Sequence, residues 1–427
     1  MKRASGCLLA LLVLMTWSLS WAQLRPSVEE LVDYETKGNA VSNRSNEAVT
    51  IRNYEIPLRL LVKDLAADRI PRQALNALIF QKNGEDYVRW IINPEDTKWH
   101  LELEAWMREN GVSTRKHGYF EGYMTASRSY IVRDPKSKMS FSLKVSTDNT
   151  GGNWRDKRQT WDDARQVKLA SDHAMKAIQM RTPENFIFMD EPLVFGVEKI
   201  DQGMLLRLLA DLPTTERVYV PGFSALHEAE GLHIARLNGS NDPAEFWKEH
   251  YVKPLAKAIA ELSAMTGLAY DSPHSQNFLV ELDKNFKPTG KIVFRDLGDS
   301  YLTVEMAQAM KRTELLKYWE KDNKIKSKMF IAQGILHGNS KPSWVSEAVY
   351  NEYGRVFFLE FEKEFSRVTG VPVQELFADG TYGRNGDYFS KQYFLINKPG
   401  WQGFLKRLEK DGGLKPVAMA CGRVMML

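Results

Sequence analysis

Cysteine is nearly absent: the 427 residues contain two, Cys7 and Cys421. Cys7 falls in the first 22 residues, which read as a leader, so a mature chain would keep one thiol and form no internal disulfide. A strong charge of either sign is also missing. Fifty-eight Lys and Arg against 54 Asp and Glu leave +4, part of it from Lys2 and Arg3, too little to imply a nucleic-acid partner. Repeats and low-complexity tracts are absent, and 43% hydrophobic with 26% charged residues excludes disorder, a collagen-like chain and a multi-span membrane protein. The phosphate-loop ending Gly-Lys-Ser/Thr, the Gly-x-Gly-x-x-Gly loop, the His-Arg-Asp triplet and the His-Glu-x-x-His zinc motif are all lacking.

The start of the chain carries the first positive signal. Lys2 and Arg3 precede the apolar run 8–15, and Ser18, Ser20 and Ala22 follow as a small-residue cleavage pattern. We expect a secretory signal peptide over 1–22, cleaved after Ala22, and a periplasmic or secreted protein. The apolar run is short for a membrane span, so an uncleaved leader would be the only membrane contact.

Periodicity then divides the rest. Helical spacing over residues 57–80, interrupted by Pro71, and over 99–110 predicts a mainly helical region across 23–125. Residues 129–146 alternate around Asp134-Pro135-Lys136-Ser137 and predict a hairpin. A helix over 161–180, strands over 186–199 and 204–209, and a long helix over 243–266 between the cap Asp242 and Gly267 come next. A second hairpin over 278–294 completes a central domain, 126–300. Helical patterns over 304–321, 343–368 and 401–409 then predict a helical lobe, 301–427. The expected class is α+β, a central antiparallel sheet with hairpins between helical opening and closing regions.

Two segments concentrate polar groups at strand ends. Ser272-Pro273-His274-Ser275-Gln276-Asn277 enters the second hairpin, and Arg295-Asp296-Leu297-Gly298-Asp299 leaves it. Arg and His neutralise phosphate oxygens, Asp and Asn hold a hard divalent ion through oxygen, and amides orient a nucleotide or substrate. A capped helix end with an Arg–Asp pair explains the same residues structurally. The other segment, residues 144–155, ends a strand in a hydroxyl- and glycine-rich loop closed by Arg155. Lys144 and Arg155 supply charge, Ser146 and Thr150 supply hydroxyls, and Gly151 and Gly152 let backbone N–H groups approach an anion. A tight polar loop between strand and helix is the plain alternative.

In order and spacing these residues resemble the siderophore synthetases that work independently of nonribosomal peptide synthetases, the aerobactin-synthetase-like family. Its Lys-x-Ser strand, Thr-containing loop and Arg match Lys144, Ser146, Thr150 and Arg155, and its His-x-Gln-Asn segment and Arg-Asp pair match His274, Gln276, Asn277, Arg295 and Asp296. The resemblance covers about residues 141–300. It implies a cupped-hand synthetase fold and ATP- and Mg²⁺-dependent condensation, in which a polycarboxylate such as citrate is adenylated and then attacked by an amine or alcohol. By matching positions, Lys144, Ser146, Thr150, Arg155 and His274 would hold the triphosphate, with Gln276 and Asn277 in the nucleotide site. Arg295 would orient phosphate or carboxylate, and Asp296 with Asn277 would hold magnesium.

Two further readings stay open. A His/Asn segment, a hairpin and an Asp-containing segment also outline a kinase-like phosphotransferase. Export, where ATP is scarce, suits a non-catalytic periplasmic binder of a polycarboxylate or siderophore. His227, Glu228, Glu230 and His233 lack zinc spacing, and Gly231 argues for a solvated loop there. Trp90, Trp99, Trp106 and Trp161 are expected in core or interface, and the aromatic run 350–365 in the packing of the closing lobe.

Overall fold

Much of the first part of the chain carries spacing that also suits strands. In the computed structural model, which describes residues 47–415 apart from 126–127, 152–154, 210–211, 213–216, 272, 322–324, 327–328, 377–388, 394 and 396–397, together with Leu31, Tyr34 and Glu35, that spacing becomes strand after strand. In chain order these are β1 (Val49–Pro57), β2 (Val62–Leu65), β3 (Ile79–Lys82), β4 (Glu85–Ile91), β5 (His117–Met124), β6 (Ser129–Arg133), β7 (Ser140–Lys144), β8 (Phe186–Phe188), β9 (Leu193–Val197), β10 (Gln202–Arg207), β11 (Arg217–Pro221), β12 (Leu268–Tyr270), β13 (Phe278–Asp283), β14 (Pro288–Phe294) and β15 (Ser300–Thr303). The α+β class and the antiparallel sheet expected from sequence are both present.

The chain divides into two units. The first comprises 1–164, 192–220 and 282–285, and the second 165–191, 221–281 and 286–427.

In the first unit nine strands form one sheet in the order β2-β9-β10-β7-β6-β5-β1-β4-β3, every neighbour antiparallel. Its apolar face, including Ile51, Ile56, Val88, Trp90, Phe120, Phe141 and Leu206, packs on Leu103, Trp106 and Met107 of the helix Trp99–Glu109. Burying one Leu- or Phe-sized side chain is worth about 1.5–3 kcal/mol, so this layer is a principal stabiliser of the unit. At Gly196 on β9 a Cβ would lie 2.2 Å from the Trp161 ring, so only glycine lets that indole lie flat on the sheet.

The opening region is a correction to the helical expectation. Residues 57–80 hold a 3-10 turn, edge strand β2, one short helix Arg72–Leu78 and β3 rather than continuous helix. A run such as Leu58-Arg59-Leu60-Leu61-Val62 satisfies both helical and alternating spacing, and pairing of β2 with β9 settles it as strand. Strands β1, β4 and β5 likewise fall where helix was expected, leaving Trp99–Glu109 as the long helix of that region.

The second unit is built around two long helical stretches. Asp242 caps the first by accepting the Glu245 N–H at 3.0 Å, Lys248–Val252 forms a π turn, and Lys253–Thr266 continues until Gly267 turns left-handed at φ 73°. The helix Glu347–Thr369 packs along it, with Phe357, Phe361 and Phe365 buried, as expected of that aromatic run. Strand β14 pairs with β13 and, in parallel, with β8, while β12 pairs antiparallel with β15. Residues 301–415 hold the helices Val304–Ala309, Leu316–Lys321, Glu347–Thr369 and Pro399–Asp411, together with the antiparallel strands Met329–Ala332 and Ser390–Tyr393 that the helical expectation omitted.

Glu228–Leu237 is a helix through Gly231, not a loop, and His227 is its cap, its Nδ1 accepting from Ala229 and Glu230 N–H. Gly231 is required there because a Cβ would meet the Ala225 carbonyl at 2.4 Å. Trp90, Trp106 and Trp161 are buried, whereas Trp99 is half-buried. The leader and Cys421 lie outside the described residues, among which no helix is long and apolar enough to cross a membrane.

Candidate functional site

The second unit brings one predicted cluster together. The chain leaves β12, makes the turn at Pro273–Asn277 and enters β13, and β14 returns to place Arg295 beside that turn. His274 caps the 3-10 turn Ser275–Asn277, its Nδ1 accepting the Gln276 N–H at 3.2 Å while its carbonyl accepts the Asn277 N–H at 2.8 Å. With Nδ1 an acceptor, the neutral ring carries its proton on Nε2. Arg295 is buried and donates from Nε and Nη2 to the Gln276 carbonyl at 2.9 and 2.6 Å, and its own N–H bonds the Asn277 carbonyl at 3.3 Å. The guanidinium is therefore fixed on the backbone of the His-x-Gln-Asn turn. Tyr270 donates its hydroxyl to the Arg295 carbonyl at 2.9 Å and stacks edge-on against Phe278, closing the apolar underside.

Asp296 follows with φ 62°, a left-handed conformation that a non-glycine residue adopts at a cost. Asn277 is buried and Asp296 half-buried. An amide and a carboxylate are both hard oxygen donors, the kind magnesium takes alongside phosphate and water. Among the described residues no three of His, Cys, Asp and Glu come together as a metal site, so a cation here would rely on its ligand for most of its oxygens.

The sequence reading missed one neighbour. His337 accepts the Ser275 N–H on its carbonyl at 3.0 Å, and its ring stands edge-on to His274 with centroids 5.9 Å apart. The same turn holds Gly338 at φ 75°, where a Cβ would fall 1.8 Å from His274 Nε2. Gly334 and Gly338, both at positive φ, bend the chain over the His274 turn.

The first unit holds the other cluster, described by itself. Lys144 ends β7, buried, and Ser146 and Thr150 are also buried in the loop that follows. The Ser146 hydroxyl is engaged with Gln159, accepting its N–H at 2.8 Å, and Thr147 and Lys157 exchange two backbone bonds at 3.0 and 2.7 Å that pinch the loop shut. Gly151 turns left-handed at φ 76° and donates to Asn149 Oδ1, while Gly152 lies outside the described residues. Arg155 stands exposed at the loop's end. Asp148 adds a carboxylate that sequence reasoning did not weigh. Burial would raise its pKa, but bonds from the Thr97 hydroxyl and N–H outweigh that and hold it below the usual carboxylate range. The loop is thus anchored through Asp148 to the start of the helix Trp99–Glu109.

The fold now has counterparts among solved structures. Petrobactin biosynthesis protein AsbB of Bacillus anthracis str. Sterne matches with TM-score 0.59 and 11% identity, over 79% of this chain and 67% of that one. Aerobactin synthetase IucC from a hypervirulent pathotype of Klebsiella pneumoniae matches with TM-score 0.50 and 14% identity, over 76% and 62%. The fold is that of the siderophore synthetases. This chain spans about two thirds of their length. No protein-family model matches it, and no curated protein sequence does.

Proposed function

We propose that the protein is an ATP-dependent ligase of the siderophore-synthetase type, joining a polycarboxylate to an amine or alcohol. The observation that carries this is Arg295, buried and bonded twice to the carbonyl of Gln276 inside a His-x-Gln-Asn turn, within a fold shared with two siderophore-biosynthesis proteins. A guanidinium held that way cannot swing to follow a ligand, which is the preorganisation that stabilises charge developing on a phosphate or carboxylate.

In the second unit His274 would donate from Nε2 to a phosphate oxygen, Gln276 would orient the nucleotide, and Arg295 would face the developing charge. Asp296 with Asn277 would hold Mg²⁺, which supplies charge neutralisation on the leaving pyrophosphate. In the first unit Lys144, Thr150 and Arg155 would contact phosphate, and Ser146, committed to Gln159, would shape the loop instead of donating. The carboxylate oxygen attacks the α-phosphorus and pyrophosphate leaves. The amine or alcohol then attacks the acyl carbon and AMP leaves, and no covalent protein nucleophile takes part.

Incubation of purified protein with ATP, Mg²⁺, citrate and hydroxylamine tests this. Hydroxamate and pyrophosphate should form in equal amounts, and Arg295→Gln should slow both about a hundredfold. Phosphoryl transfer without pyrophosphate would make it a kinase-like enzyme instead. The N-terminal pattern Lys2-Arg3, apolar run and Ala22 favours a second reading, a periplasmic binder on an inherited fold, which predicts citrate binding with no ATP consumed.

A further inference from the structure

The first unit carries a cavity that neither candidate cluster touches. It has a volume of about 400 Å³, within the range of small-molecule sites, and opens on the face of β1, β3, β4 and β5 opposite the apolar core. Its base is rigid sheet, with Pro57 of β1 paired to Tyr87 of β4 and Asn53 of β1 to His117 of β5. The turn after the helix Trp99–Glu109 forms one wall and brings Arg115 to the rim.

Charge in this lining is one-sided. Arg59, Lys82 and Arg115 are permanent cations and His117 stands beside them, against one carboxylate, Glu55. Glu55 already holds Lys82 at 2.7 Å and lies 3.7 Å from His117. Arg59 pairs with Glu85 at 2.6 Å, but its side chain is 66% exposed, and ion pairs that open to water hold weakly. Arg115 is exposed and has no carboxylate partner among the described residues. Tyr87, with Lys82 5.6 Å from its ring centre, adds an aromatic surface for a carbon skeleton.

We propose that this cavity binds a small organic acid carrying two or more carboxylates. Arg59 and Arg115 present planar donor forks suited to carboxylate, and the cavity they line, about 400 Å³, is larger than a lone inorganic ion fills. The site is independent of the ligase reading, since none of its residues belongs to the His274 or Lys144 segments.

Calorimetric titration of the purified protein with citrate in the absence of ATP tests it, with inorganic phosphate as the competing probe. Citrate should bind, the double variant Arg59→Gln/Arg115→Gln should weaken it about tenfold or more, and Arg115→Glu should weaken it further. Lys136→Gln, an exposed cation elsewhere in the unit, should leave it unchanged. Both arginines are exposed, so circular dichroism and melting should confirm that the variants stay folded. The proposal is overturned by absence of citrate binding, by equal affinity in the double variant, or by phosphate displacing citrate at equal concentration. Failure of ATP turnover would count against the ligase reading alone.

Discussion

His173 is a histidine that burial keeps from its proton. It is buried, its Nε2 bonds the Thr266 carbonyl at 2.7 Å, and its Nδ1 meets no partner. Burial, reinforced by Arg312 and opposed by that bond, pushes its pKa from 6.5 down to about 4. Between those values the unfolded chain holds a proton that the folded one refuses. Stability contributed by neutral His173 is therefore complete above pH 6.5 and lost as pH falls toward 4, by about 3 kcal/mol. Urea unfolding at pH 7 and 4.5 should show His173→Gln losing less stability on acidification than the parent. Tyr251 is the complementary case, a buried hydroxyl with no partner, so Tyr251→Phe should be neutral or stabilising in the same experiment. Neither residue stood out in the sequence, because burial of a lone His or Tyr depends on which helices cross over it.

At the scale of elements, strong local signals were legible and ambiguous ones were not. The hairpin 129–146, the helix Trp161–Met180 and the Asp242 cap follow from turn residues and spacing that admit one answer. Residues 57–80 admitted two, and the partner strand β9 chose between them. Gly231 misled because its penalty in a helix, about 1 kcal/mol, is outweighed where a Cβ would strike the Ala225 carbonyl. Gly338 makes the sharper test. Gly338→Ala places a Cβ against His274 Nε2 at positive φ, so melting should fall by several degrees, and ATP binding, if His274 contributes, should weaken with it. On the strand Ser390–Tyr393, buried Lys391 bonds Glu362 of the helix Glu347–Thr369 at 2.5 Å and Tyr393 bonds the same oxygen at 2.9 Å. Lys391→Met strands that carboxylate and should cost about 3–5 kcal/mol by urea unfolding.

For the whole molecule, the sequence carried the fold class and the functional resemblance further than it carried the architecture. Identities of 11% and 14% to structures of the same fold show how little of the chain besides spacing links them. The His-x-Gln-Asn and Arg-Asp segments were legible because hairpin connectivity alone returns Arg295 to the turn that precedes β13. His337 and Asp148 were not, since one arrives from a distant turn and the other is defined by its bond to Thr97. The nine-stranded sheet was half legible, its β6–β7 hairpin being local while β1, β4 and β5 pair out of sequence order. Ligand binding should act on the same scale. A nucleotide that binds only the folded protein raises its stability with concentration, by about 2.7 kcal/mol at a hundredfold excess over its dissociation constant, and the melting temperature with it.

The central proposal is that the protein binds a magnesium-bound nucleotide, with the His274 turn and the Lys144 loop each taken separately as carrying groups for it, and calorimetric titration with Mg-ATP tests it most directly. The account predicts micromolar binding that requires Mg²⁺ and weakens at least about tenfold in Arg295→Gln and in Arg155→Ala. No heat with the parent protein, or equal affinity in both variants, would contradict it.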